Sequence, residues 1–195
     1  MDVSPDALVV EASGTAGKLD ALEERPSHSI HTISLLVENK PGVLHRIAGL
    51  FSRRGYNIAS LTVGPTEHEE YSRMTIVVRL SSKPVEQVVR QVQKLVPVVE
   101  VRELSAQDLI ERELMLVKIR TPERNHAELR ALAETYEATI VDVSPDALVV
   151  EASGTAGKLD ALEERLRPFG IQELCRSGRI ALERGFKTLA PPNLK

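Results

Sequence analysis

A single cysteine, Cys175, stands among 195 residues, so no disulfide can form within the chain. Tryptophan is absent and the aromatics are only three Phe and three Tyr, too few to make stacking platforms for bases. A basic field is missing as well, because 25 Lys and Arg face 28 Asp and Glu for a formal charge of −3. Nucleic acid is therefore not an expected partner. No apolar run approaches the roughly 18–20 residues that cross a bilayer, and no basic-then-apolar leader with a cleavage site is visible. The expectation is a cytoplasmic protein with no membrane role. What is present, 42% hydrophobic and 27% charged residues, is an ordinary globular balance long enough for one large core or two small ones.

The chain contains an unusual repeat: Asp2 to Arg25 recurs letter for letter as Asp142 to Arg165. Solenoid repeats come in threes or more and differ in detail, so one undrifted copy reads as a recent duplication or an assembly error. Residues 1–26 are expected to be a mobile appendage, and the coherent protein to begin near Ser27.

From Ile30 to Val37 apolar residues alternate loosely as in a strand, and Asn39-Lys40-Pro41-Gly42 ends it. Val43, Leu44, Ile47, Ala48, Leu50 and Phe51 then follow a 3.6-residue period up to Gly55, where a helix-capping glycine belongs. Ala59, Leu61 and Val63, then Met74, Ile76, Val78 and Leu80, alternate on either side of an acidic turn and predict a hairpin. Val85, Val88, Val89, Val92 and Leu95 predict a helix after Pro84, and Val99 and Val101 a final strand. The same order begins again with a strand over Leu114 to Arg120, a helix carrying Leu129, Leu132, Ala133 and Tyr136, and a hairpin over Thr139 to Ala152. A helix with Leu159, Leu162 and Leu166 and a strand over Ile171 to Leu174 complete it. The reading is α+β: two tandem ferredoxin-like βαββαβ domains over 27–104 and 112–185, joined by a linker at 105–111 and followed by a tail at 186–195.

Most candidate chemistry reduces to ordinary structure. Gly154-Thr155-Ala156-Gly157-Lys158 lacks the spacing and the final Ser or Thr of a phosphate loop. His28 and His31 have no neighbouring carboxylate or thiol to complete a tetrahedral metal site. Cys175 beside Arg176 reads as a small buried thiol, and Glu67, Glu69 and Glu70 as a solvated turn. No catalytic set and no metal set emerges.

The first strand-to-helix loop is different. Asn39 brings a donor and an acceptor, Gly42 admits a ligand to the backbone, and the opening N–H groups of the helix suit a carboxylate.

Asn39-Lys40-Pro41-Gly42-Val43-Leu44 and Gly49 to Ile58, with Ser60 to Thr66, Ser72 to Ile76, Arg112 to Ile119, Gly154 to Asp160 and Arg176-Ser177-Gly178, closely resemble the small regulatory subunits of acetolactate synthase (acetohydroxyacid synthase). The resemblance spans about Ser27 to Gly185 and makes the first domain an ACT domain. It implies a non-catalytic subunit that activates a catalytic large subunit and confers feedback inhibition by L-valine or another branched-chain amino acid. It implies further that thiamine diphosphate, Mg²⁺ and FAD belong to that partner, leaving no cofactor in this chain, and that a homodimer forms through the first ACT domain. Carried over by position, the effector lies between Asn39, Gly42, Val43 and Leu44 of one chain and Asn57 and Ile58 of the other. Two rivals remain: a free-standing amino-acid-sensing ACT regulator, and an acylphosphatase-like enzyme, although the loop has Lys40 and no arginine before Arg46.

Overall fold

The computed structural model describes residues 29–80 and 84–191, with the side chain of Glu123 excepted. The leading repeat copy expected as a mobile appendage, together with His28, lies outside the described residues.

The first domain runs β1 (Ser29–Glu38), α1 (Val43–Arg54), β2 (Asn57–Pro65), β3 (Tyr71–Leu80), α2 (Val85–Val92) and β4 (Val98–Leu104). Its strands lie in the order β2-β3-β1-β4 with every neighbouring pair antiparallel. Period-two alternation turns Ile33, Leu35 and Val37 of β1 and Met74, Ile76 and Val78 of β3 toward the helices. Helix α1 answers with Val43, Ile47, Leu50 and Phe51, all buried. It starts after Gly42 at φ 83° and stops at Gly55 at φ 66°, a conformation that a side chain disfavours. Past the cap, Tyr56 returns its ring edge-on to Phe51 at 5.8 Å.

The second domain repeats the plan: β5 (Leu109–Arg120), α3 (His126–Thr135), β6 (Thr139–Ser144), β7 (Ala147–Gly154), α4 (Ala156–Leu166) and β8 (Ile171–Arg176), in the strand order β6-β7-β5-β8. Its core gathers Met115, Val117, Ile119, Leu129, Leu148, Val150, Leu159 and Leu162. Register irregularities fall at equivalent places in the two domains, at Leu36/Val37 and Lys118/Ile119 and again at Ile58/Ser60 and Ile140/Asp142. The internal likeness thus extends to β-bulges, which periodicity does not reveal.

Three expectations at the joints change. The linker over 105–111 is a turn only as far as Asp108, because β5 opens at Leu109 rather than Leu114. A ninth strand, β9 (Ile180–Glu183), pairs with the first residues of β5, from Leu109 opposite Glu183 to Arg112 opposite Ile180. The described part of the expected tail, residues 186–191, returns to the first domain, where Leu189 is buried and its carbonyl accepts a hydrogen bond from Arg73 at 3.1 Å. The face of the first sheet that turns away from its helices is therefore covered: Thr32, Ser34, Leu36, Thr75 and Val77 are buried there, and β9 touches both β1 and β3. Arg102 on β4 spans Glu100 at 2.8 Å and Glu183 on β9 at 2.5 Å, tying the domains together.

Candidate functional site

The loop between β1 and α1 gathers four of the six expected effector residues. Asn39 donates its backbone N–H to the carbonyl of Glu70 at 2.7 Å and its carboxamide Nδ2 to the carbonyl of Glu69 at 2.9 Å. The acidic turn read as mere solvated charge thus holds Asn39 in place and leaves its carboxamide oxygen for a ligand. Gly42 is exposed, and a Cβ there would meet nothing within 4 Å, so the backbone at the mouth of α1 is open to approach. No side chain caps the helix. The first hydrogen bond inside the helix is Arg46 N–H to Gly42 O at 3.0 Å, so the N–H groups of Leu44 and His45 have no helical carbonyl to meet. Partial positive charge converges there from the helix dipole. Val43 places its side chain in the core and can offer a ligand only its backbone, whereas Leu44 is 43% exposed and supplies an apolar wall.

Asn57 and Ile58 lie elsewhere. Asn57 pairs with Arg79, which faces Ile30 at the start of β1, whereas the loop follows Glu38 at its end, opposite Tyr71. Eight residues of strand separate the two ends, about 26 Å at 3.3 Å per residue. One chain therefore brings Asn39, Gly42, Val43 and Leu44 together and leaves Asn57 and Ile58 at the far end of the same sheet.

The second domain carries no copy of this loop. Thr121 stands where the structural repeat places Asn39, and Arg124, in a short 3₁₀ turn, stands where it places Gly42. The open glycine-started helix belongs to the first domain alone.

The remaining motifs settle into structural roles. Thr155 caps α4 by accepting the Lys158 N–H at 3.4 Å, and Lys158 folds over Gly154 to pair with Glu137 at 2.9 Å, so the glycine-rich segment makes no phosphate cradle. Cys175 is exposed, not the buried thiol expected. Arg176 is turned to Asp160 at 2.7 Å and Glu163 at 3.1 Å. A hydrogen-bonded chain that the sequence did not suggest runs from Ser29 Oγ to His31 Nε2 and from His31 Nδ1 to Glu103 Oε1, each at 2.7 Å. The one hydroxyl proton of Ser29 goes to the carbonyl of Leu80, so Ser29 Oγ accepts at the His31 contact and the relay fastens the ends of β1, β3 and β4. Among the described residues no cluster of three His, Cys, Asp or Glu could hold a metal ion, and no helix is long and apolar enough to cross a membrane.

Comparison with known proteins gives the loop its context. Residues 33–100 match the AHAS small subunit-like ACT domain, and residues 112–185 match the family described as small subunit of acetolactate synthase. The probable acetolactate synthase small subunit of Archaeoglobus fulgidus is 48% identical over 157 residues, which is 80% of this chain and 98% of that protein. The chain belongs to the acetolactate synthase small subunit family. The acetolactate synthase small subunit of Mycobacterium bovis agrees, at 46% identity over 82% of this chain and 95% of its own length. The crystal structure of the small subunit from Thermotoga maritima, 37% identical, superposes with a TM-score of 0.75 over 82% of this chain and 99% of its own. That span covers both ACT-like domains of the small-subunit fold at once. All six candidate residues fall within the matched ACT segment.

Proposed function

We propose that this chain is the regulatory subunit that activates the catalytic large subunit of acetolactate synthase and makes it sensitive to a branched-chain amino acid, with L-valine as the effector. Thiamine diphosphate, Mg²⁺ and FAD are supplied by the larger partner, in the cytoplasm. The observation that carries the reading is the uncapped, glycine-started helix α1 beside Asn39, inside the segment that matches the ACT domain. The effector carboxylate takes the free N–H groups at Leu44 and His45, Asn39 orients its ammonium or a water, and Leu44 meets the isopropyl group. Because Asn57 and Ile58 lie about 26 Å away along the sheet, they close the site only from a second copy, so binding and homodimerisation through the first domain are linked. Lys40, the one cation of the loop before the helix, pairs with Glu38 at 3.1 Å, which weakens the acylphosphatase alternative.

Valine has about eight heavy atoms; at roughly 0.6–0.7 kcal/mol each, binding comes near 5 kcal/mol, a dissociation constant of about 0.1–0.3 mM. Calorimetric titration with L-valine, with D-valine as control, tests the sensor. Reconstitution with the catalytic subunit tests the regulator. Stereoselective heat with no effect on the enzyme would favour the free-standing sensor instead.

A further inference from the structure

The strand that carries Asn57 and Ile58 also holds the second domain. Two and four residues beyond Ile58, the side chains of Ser60 and Thr62 close on the backbone of one residue, Arg179, in the β8–β9 connection. The N–H of Arg179 donates to Ser60 Oγ at 2.9 Å, and the Thr62 hydroxyl donates to the carbonyl of Arg179. Two hydroxyls on one face of β2 thus satisfy both polar groups of a single residue, in place of the backbone partners that a neighbouring strand would supply.

The segment they hold is fitted tightly. Gly178 has φ 79°, and a Cβ on it would come within 2.7 Å of Ser60 Oγ and 3.4 Å of the Leu61 carbonyl oxygen. On its other side the segment is bound to β5: Ser177 donates its N–H to Leu114 O at 2.9 Å, its hydroxyl accepts the Leu114 N–H at 3.0 Å, and Arg179 pairs with Glu111 at 3.3 Å. Residues 177–179 are therefore a bridge with β2 on one bank and β5 on the other. Two further polar ties between the domains, from Arg102 to Glu183 and from Arg73 to Leu189, leave from β4 and β3.

Between Ile58 and Ser60 the pairing of β2 with β3 slips by one residue, leaving Ala59 as a bulge. A bulge is where a strand most readily changes its twist, so a shift at Asn57 and Ile58 turns into a rotation of the next residues. We infer that the clasp of Ser60 and Thr62 on the Arg179 backbone is the joint through which an occupant at the start of β2 is felt by the second domain. This rests on the effector reading above.

The test uses the full chain reconstituted with the catalytic subunit, and L-valine as the probe. The double variant Ser60→Ala/Thr62→Val removes both hydroxyls at nearly constant size. Its calorimetric affinity for L-valine should stay within about threefold and its activation of the enzyme should persist, while the valine concentration for half-inhibition rises about tenfold or more, within the usual range of coupling between sites. In the unaltered chain, amide exchange at Arg179 should change several-fold on adding valine, a readout that needs no variant and is indifferent to any loss of stability. An inhibition curve that does not move in the double variant, or Arg179 exchange unaltered by bound valine, overturns the joint and leaves the effector reading standing. Absence of valine heat in the unaltered chain overturns the effector reading itself and the joint with it.

Discussion

Gly42 concentrates the residue-scale argument. Its φ of 83° and the empty space around it mean that a side chain there meets strain but no clash. Gly42→Ala should cost about 1 kcal/mol and lower the melting temperature by about 2–4 °C, as left-handed backbone does for a residue with a Cβ in a domain of this size. Gly42→Asp adds a carboxylate where the effector's own carboxylate is to sit. It should abolish valine inhibition while activation persists, and inhibition unchanged in Gly42→Asp would remove the loop from the site. The pair separates strain from charge. Gly42 and Gly55 were both legible in the sequence, because a glycine at either end of an apolar 3.6-residue period is a local signal. Ser60 and Thr62 were not, since a hydroxyl on a strand looks the same whether it meets water or the backbone of Arg179, whose partners lie far away along the chain.

At the scale of elements, β9 is the informative case. Four residues with Ile180 and Leu182 exposed and Ala181 buried show too short an alternation to be read alone, and the strand exists because β5 extends past its own sheet to meet it. Its seat on the first domain depends on Glu183, whose carboxyl is held below the ordinary carboxylate range, chiefly by its hydrogen bond to Arg102 and further by Lys187. A lowered folded pKa means that this stabilisation is complete above the carboxylate's unfolded pKa and is lost as pH falls through the folded one. Acidification should therefore loosen β9, read as falling amide-exchange protection, relative to the unprotected rate at each pH, over Leu109–Arg112 and Ile180–Glu183. Glu183→Gln should exchange faster at neutral pH with a flatter acid dependence, whereas an acid profile as steep as the unaltered chain's would show that other carboxylates set it. The acidic turn teaches a related lesson: its charges carry no visible role, but its Glu69 and Glu70 carbonyls hold Asn39.

For the whole molecule, the second domain fills its own sheet with the later of the two identical segments: β7 pairs with β5 from Glu113 to Arg120, and α4 buries Leu159, Leu162 and Leu166. The two described cores are built from Ile33 onward. A chain beginning at Ser27 should melt within about 1 °C of the full chain and give the same valine isotherm, since core burial dominates stability. A fall of several degrees would mean that the leading copy contributes to the fold. The sequence by itself determined the two βαββαβ units, the stop of α1 at Gly55 and the start of α2 after Pro84, the residues of their cores and the family, because periodicity, caps and motif blocks are local along the chain. Only the tertiary structure decided that the candidate effector residues stand at opposite ends of one sheet, that β5 runs past its own sheet to pair with β9, and that β2 grips the β8–β9 connection. Those facts depend on strand register and on contacts between residues some 70 to 120 positions apart, as from Ile110 to Leu182 and from Ser60 to Arg179, which no local pattern encodes.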